Sequence, residues 1–211
     1  YIIWVMDLDY YKYSFVQNFR DDFNSDSFLK YKRLFKFKST KSHKWYYVWV
    51  EVYDHHMYAV KFHLKEHNDS PRKYNIVTGL NEARMVINTC IRIMSDIASS
   101  DPRSSFGFIG ANSEGEKIRN SKRFQVYSSF MATYVDPDEF MHITIIEKSA
   151  YMLVRRSEIE ANPDLVSQLN QKFKILYDYF EWKLGEFKDF VCGRNFKTMI
   201  FWYGKNGIAG L

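Results

Sequence analysis

Residues 45–65 read WYYVWVEVYDHHMYAVKFHLK, and this stretch predicts the central hairpin of the fold. Apolar and polar side chains alternate on both sides of a short turn at residues 54–56, as is typical of two antiparallel strands. Pairing across that turn sets apolar residues opposite one another: Val52 with Tyr58, Val50 with Val60, and Val48 with Phe62. We expect this face of the hairpin to form the core.

The opposite face of the hairpin combines aromatic rings with basic side chains. Its members are Trp45, Tyr47, Trp49, Lys61, His63 and Lys65. Rings that stack on bases, interleaved with cations that neutralise phosphates, are what a sheet needs in order to bind nucleic acid. The alternative is that a helix or the N-terminal segment covers these rings. The turn pair, His55 and His56, has no third ligand nearby in the sequence, so we expect no metal site there.

A strand with a lysine face is predicted before the hairpin, at residues 29–38. Lys30, Lys32, Lys36 and Lys38 share one parity, and every charged residue from 28 to 49 is Lys or Arg. Such lysines prevent edge-to-edge aggregation when they lie on an edge strand, which is the first interpretation. Ligand binding is the second.

The remaining periodicity predicts an α+β fold, with a mainly antiparallel sheet and three main helices packed on it. Helices are expected to start near Asn81, Ser121 and Asn162. Further strands are expected at residues 1–6, 74–78, 106–109, 140–146, 151–154 and 197–203. We expect a single domain over residues 1–211, with a core from about residue 28 to 184 and extensions at 1–27 and 185–211.

Residues 105–127, SFGFIGANSEGEKIRNSKRFQVY, predict a buried strand, a polar glycine loop and the start of a helix. Two N-caps compete, Ser113 with Glu116 as a capping box, and Ser121. Free N–H groups at a helix N-terminus attract anions. Three basic residues, Arg119, Lys122 and Arg123, therefore make this junction a second candidate for polyanion binding. The loop lacks the G-K-[ST] ending and the G-x-G-x-x-G spacing of nucleotide-binding loops.

The same junction resembles an uncharacterised family of small bacterial proteins. The family carries F-x-F-x-G, then E, then N-[ST]-K-R-F-x-x-Y, and later S-A-Y-x-L. These are here Phe106, Phe108, Gly110, Glu116, Asn120, Ser121, Lys122, Arg123, Phe124, Tyr127, Ser149, Ala150, Tyr151 and Leu153. The resemblance covers residues 46–154 and implies a shared fold. It implies no activity, because none is established for the family.

Catalysis has a short list of candidates, and the sequence leaves open whether the protein is an enzyme. A metal-independent phosphodiester cleavage would use Arg to stabilise charge and Glu or His to move protons. The residues that fit are Glu116, Arg119, Arg123, Tyr127 and His142. Each also has an ordinary structural alternative, and no G-x-S-x-G elbow is present.

Composition restricts the classes of partner. Thirty Lys and Arg against twenty-five Asp and Glu give a net charge of +5, which favours acidic partners. Cys90 and Cys192 lie far apart without C-x-x-C spacing, so we expect no disulfide framework, no zinc site and a cytoplasmic location. No apolar run is long enough to span a membrane, and we expect neither a membrane partner nor a cofactor.

The sequence thus favours an intracellular binding module for RNA, DNA or another polyanion. One alternative is a phosphodiester-cleaving toxin or defence effector. Another is an interaction subunit of a protein complex, in which the partner is a protein.

Overall fold

The computed structural model describes residues 8–20, 28–113 and 115–173. The chain divides into two compact units, Tyr1–Leu165 and Val166–Leu211. In the second unit, residues 166–173 continue a helix that begins at residue 165. The strands predicted at residues 1–6 and 197–203 lie outside the described residues.

A seven-stranded sheet forms the first unit, in the order β1-β2-β3-β4-β5-β7-β6. Every neighbouring pair is antiparallel except β4 and β5. The strands are β1 (Tyr13–Phe19), β2 (Leu29–Lys38), β3 (Trp45–Tyr53), β4 (Met57–Leu64), β5 (Ser105–Ile109), β6 (Phe140–Ile145) and β7 (Ala150–Arg155). The helices are α1 (Ala83–Ser100), α2 (Lys122–Tyr134) and α3 (Arg156–Ala161). The α+β class with a mainly antiparallel sheet is confirmed.

The β3–β4 hairpin has the register that the sequence predicts. Val52 pairs with Tyr58, Val50 with Val60, and Val48 with Phe62. Val48 and Val50 are fully buried, as expected for the core. We call this side of the sheet the inner face.

Helix α1 covers the inner face and provides the crossover that the parallel β4–β5 pair requires. Its apolar stripe, which includes Cys90, Ile91 and Ile97, lies in the same buried cluster as the hairpin valines. Burial raises the pKa of the Cys90 thiol, so this cysteine is an inert core residue.

The sequence did not predict β1, which lies in the segment that we assigned to an N-terminal extension. β1 pairs with β2 along its length, with a register shift between Phe15 and Gln17. The interpretation of β2 as an edge strand is therefore wrong, because β1 is the edge and β2 is internal. The side chains of β1 are mostly exposed, so apolar alternation could not reveal it.

The strand predicted at residues 74–78 is absent, and turns and irregular backbone take its place. Arg123 on α2 holds this segment instead, because its guanidinium donates to the carbonyls of Tyr74, Asn75 and Ile76.

The helix predicted to begin at Asn162 begins at residue 165 and follows the unpredicted α3. Asn162 ends α3, yet its side chain accepts a hydrogen bond from the Asp164 N–H at 3.2 Å. The predicted Asn162 cap therefore forms, but it lies about one turn before the start of the regular helix.

Ser121 starts α2, which decides between the two competing caps. Its hydroxyl accepts from the Phe124 N–H at 3.2 Å and donates to the Gly110 carbonyl at 2.5 Å. Ser113 and Glu116 do form the reciprocal bond of a capping box, from the Ser113 N–H to the Glu116 carboxylate at 2.8 Å, but no helix begins there.

Gly110 permits the close approach of β5 to α2. A Cβ at this position would lie 2.5 Å from Cα and 2.6 Å from Cβ of Phe124, whose backbone cannot move without displacing the helix. We expect Gly110→Ala to lower the free energy of unfolding by at least about 2 kcal/mol, as overpacking against backbone does. Urea titration would measure the change.

Gly107 in the same strand offers a matched control for Gly110. A Cβ there would lie too close only to the flexible end of Met57, at 2.7 Å from Cε, while Tyr151 O and Met152 Cγ would be at ordinary contact distances of 3.7 and 3.9 Å. Gly107→Ala should therefore be the milder change, and equal losses in the two variants would contradict the proposed close approach.

A buried carboxylate joins three separate segments at one end of the inner face. Glu82, which is 5% exposed, accepts hydrogen bonds from four hydroxyl groups. The donors are Tyr11 at 3.3 Å, Ser39 at 2.5 Å, Ser42 at 2.9 Å and Tyr46 at 2.7 Å. Burial opposes ionisation, but these donors outweigh it and hold the pKa of Glu82 below its ordinary value.

Replacing Glu82 by Gln should lower the free energy of unfolding by about 2 kcal/mol, since hydrogen bonds to a charged group are lost. The depressed pKa adds a pH dependence. The wild-type contribution is present above the ordinary pKa of 4.5 and disappears as the pH falls through the folded-state value. The difference between wild type and Glu82→Gln should therefore shrink in acid, as measured by urea titration at several pH values.

Glu66→Gln is the matched control, because its partner Lys44 lies 2.7 Å away in an exposed ion pair. Exposed pairs contribute little to stability. If Glu66→Gln lowered the free energy of unfolding as much as Glu82→Gln does, the four hydroxyl groups around Glu82 would have no special part in stability.

Candidate functional site

Three strands contribute to one aromatic and basic surface on the side opposite the inner face. Pairing of β3 with β4 sets Trp49 opposite Lys61 and Tyr47 opposite His63, as predicted. Pairing of β2 with β3 adds two lysines from the other side: Lys36 lies opposite Tyr47 and Lys38 opposite Trp45. The lysine face of β2 and the aromatic face of the hairpin thus form a single surface, which we call the outer face.

One end of the outer face is open, and we call it the Trp45 end. It consists of Lys36, Lys38, Trp45, Tyr47 and Lys65. Trp45 is 41% exposed, and Lys38 and Lys65 are also exposed. The Lys36 ammonium lies 5.6 Å from the centre of the Trp45 ring, and that of Lys65 lies 6.0 Å from the Tyr47 ring. Within the described residues, no carboxylate lies within ion-pair distance of these three lysines.

The other end of the outer face is already occupied by contacts within the protein. Lys61 forms a 2.5 Å ion pair with Glu51. The Trp49 ring lies 5.1 Å from that of Phe19 on β1, so the N-terminal segment covers part of the face, which was the alternative from the sequence. In the structure, fewer residues of this face are therefore open to a ligand than the sequence predicts.

His63 is a buried neutral residue and not one of the cations of the face. It is 3% exposed, with the Tyr47 ring at 5.9 Å and the Tyr74 ring at 5.4 Å. Its Nδ1 lies 2.8 Å from the Leu64 carbonyl, and its Nε2 accepts from the Trp49 indole N–H at 3.3 Å. Burial lowers the pKa of His63. Tertiary packing thus removes one of the predicted polyanion-binding residues from contact with a ligand.

The lowered pKa of His63 predicts a loss of stability as the pH falls below about 6.5. Over that range the unfolded chain binds a proton that folded His63 does not, so the free energy of unfolding decreases with falling pH. One proton gives a slope of at most ~1.4 kcal/mol per pH unit. Urea titrations between pH 8 and pH 5 should show a shallower slope for His63→Gln than for wild type.

His43→Gln is the control for this experiment, because it removes an exposed histidine. It should keep the wild-type pH slope. A wild-type slope in His63→Gln as well would contradict a buried neutral imidazole at this position.

The strand-to-helix junction satisfies its own N–H groups. The Glu116 carboxylate accepts from the Lys122 N–H at 2.7 Å and from the Ser113 N–H at 2.8 Å. These hydrogen bonds lower the pKa of Glu116, which makes it a weak proton acceptor. The chain's own carboxylate therefore takes the position at the start of α2 that an external anion would occupy.

The other candidate catalytic residues mostly have structural partners. Arg123 donates to the three backbone carbonyls described above. Burial raises the pKa of Tyr127, whose ring lies 5.4 Å from Phe108. His142 Nδ1 lies 2.7 Å from the Tyr151 hydroxyl, and burial lowers its pKa. Of the three basic candidates at the junction, Arg119 and Lys122 are exposed.

The junction and the outer face lie on opposite sides of the sheet. Helix α2 packs on the inner face, since the Tyr127 ring contacts Phe62 at 6.0 Å. Residues 74–76 connect the two sides: Arg123 holds their carbonyls, and the Tyr74 ring packs on His63. The two groups of predicted polyanion-binding residues therefore do not form one site.

A titratable cluster at the β3–β4 turn was missed by reasoning from the sequence. The Asp101 carboxylate lies 2.8 Å from His56 Nδ1 and accepts from the Tyr58 hydroxyl at 2.7 Å. Beside it, Arg103 donates to both oxygens of Glu158, at 2.8 and 2.9 Å. Only the turn position of His56 was visible in the sequence, because its partners are 45 residues and more away.

The fold and the outer face define an α+β protein with an open aromatic and basic sheet surface. No protein-family model matches the chain, and no curated protein or solved structure matches it significantly. Within the described ranges, no group of three or more His, Cys, Asp or Glu residues is placed to hold a metal ion. None of the helices that the structure describes has the length and apolar character to cross a membrane.

Proposed function

We propose that this protein is a binding module for nucleic acid or another polyanion, and that the ligand lies on the Trp45 end of the outer face. The observation that supports the proposal is the combination of two accessible aromatic rings with three lysines. These lysines have no carboxylate partner among the described residues. Neighbouring ammonium groups without counter-ions attract a polyanion and release its bound cations on binding.

Binding should be strongly salt-dependent and should depend on the lysines of the Trp45 end. The test is a titration of a fluorescent oligonucleotide at several salt concentrations with wild type and with the triple variant Lys36→Gln, Lys38→Gln, Lys65→Gln. We expect at least about tenfold weaker binding at low salt. The slope of log K against log salt should flatten by about 2, since each contact with a single-strand phosphate contributes ~0.7.

The matched control removes the same charge from the strand-to-helix junction, through Lys117→Gln, Arg119→Gln and Lys122→Gln. All three side chains are exposed. This control should bind as wild type does. If instead the junction variant loses binding and the outer-face variant keeps it, the site is assigned wrongly. If wild type does not bind at low salt, the proposed function is wrong.

Phosphodiester cleavage by a toxin or defence effector has less support than binding. Its candidate residues Glu116, Arg123 and Tyr127 each have the structural partners described above, and the pKa shifts of Glu116 and Tyr127 disfavour proton transfer at neutral pH. An interaction subunit whose partner is a protein would be indicated by a wild-type chain that binds no polyanion in the titration.

A further inference from the structure

The aromatic rings of the Trp45 end follow one strand in a regular row. Trp45 and Tyr47 are two residues apart on β3, which spaces them by about 6.7 Å, twice the rise per residue. Bases stacked in a duplex are about 3.4 Å apart along each strand. The row therefore fits consecutive bases of a stretched single strand, in which each base leaves its neighbour and stacks on a ring.

Each ring has a lysine directly across from it on β2. Lys38 is the partner of Trp45, and Lys36 is the partner of Tyr47. The Lys36 ammonium lies 5.6 Å from the centre of the Trp45 ring and the Lys65 ammonium 6.0 Å from the centre of the Tyr47 ring, so an ammonium group lies beside each ring. The repeating unit of the surface is one ring and one cation, which corresponds to the one base and one phosphate of a nucleotide.

The far end of the row is closed, which limits the number of stacked bases. Tyr74 packs on His63, Phe19 packs on Trp49, and the Glu51 carboxylate follows on the same face of β3. Glu51 is already paired with Lys61, so neither charge is left for a phosphate, and the two added rings lie against Trp49 and His63. The open part of the row therefore offers two rings, Tyr47 and Trp45, for stacking.

A ligand recognised by its charge alone would make no use of the Trp45 and Tyr47 rings. A sulfated sugar or polyphosphate chain has no base to stack on Trp45 or Tyr47. A duplex keeps its bases paired inside, and its groove admits a helix or a two-stranded ribbon rather than the middle of a wide sheet. Here β2 and β3 are both internal strands of the sheet.

We propose that the ligand of the outer face is a single-stranded nucleic acid, with two consecutive unpaired bases stacked on Tyr47 and Trp45 and their phosphates beside Lys36, Lys38 and Lys65. This inference rests on the proposed polyanion binding and specifies its ligand class. RNA and DNA share this chemistry, so both belong to it.

The test compares five competitors for a labelled single strand of about 10 nucleotides, a length within the range of known single-strand binders. They are unlabelled single-stranded RNA, single-stranded DNA, an abasic strand of the same length, a duplex and polyphosphate. We expect at least one of the two base-containing single strands to compete about tenfold better than the abasic strand, the duplex and polyphosphate. A preference between the two then identifies the sugar.

The ring variants test stacking directly. Trp45→Ala should bind the single strand about tenfold more weakly, whereas Trp45→Phe, which keeps a ring, should recover most of the affinity. Tyr10→Ala is the matched control, because Tyr10 has the same 41% exposure and lies elsewhere, with Arg92 5.7 Å from its ring. Far-ultraviolet circular dichroism verifies that each variant is folded.

Two results would overturn the inference while leaving polyanion binding intact. One is competition by polyphosphate, the duplex or the abasic strand as strong as that of the intact single strands. The other is unchanged single-strand affinity in Trp45→Ala. If neither the labelled strand nor any competitor bound at low salt, the proposed function itself would be wrong.

Discussion

The register of the β3–β4 hairpin is the constraint on which the rest of the structure depends. Side chains alternate along a strand, so a slip of one residue would exchange the two faces. If β4 slipped in this way against β3, Val60 would meet water and Lys61 would enter the core. Burying an unpaired lysine costs several kcal/mol, which excludes the slipped pairing. Once the register is set, α1 covers the inner face, and the lysines of β2 join the rings of β3 on the outer face.

Glu82 shows how a buried charge can specify the arrangement of distant segments. Its four hydroxyl donors come from the N-terminal segment, the β2–β3 turn and β3, while Glu82 itself precedes α1. An ionised carboxylate is tolerated in such a place only when its oxygens are fully hydrogen-bonded. These segments are therefore held in one arrangement, with Tyr11 and Tyr46 stacked on either side of Phe37.

The junction between β5 and α2 illustrates why residue types alone do not define an anion site. A glycine loop, a capped helix and basic residues are what such a site requires, and the sequence contains all of them. In the folded chain, Glu116 accepts the N–H groups, Gly110 allows β5 to contact α2, and Arg123 holds the carbonyls of residues 74–76. These residues thus account for the local structure through contacts within the chain.

From the sequence alone came the register of the β3–β4 hairpin and the strands that became β6 and β7. Each follows from side-chain periodicity or from hydrogen bonds between near neighbours. Only long-range contacts placed β1 outside β2, kept residues 74–76 out of the sheet, and left the Trp45 end as the open part of the outer face. The physical reason is distance along the chain. The partners of Arg123 lie up to 49 residues away, and the ring that covers Trp49 belongs to a strand without apolar alternation. Local pattern carries no information about such contacts, so only the assembled sheet shows which basic and aromatic side chains meet solvent.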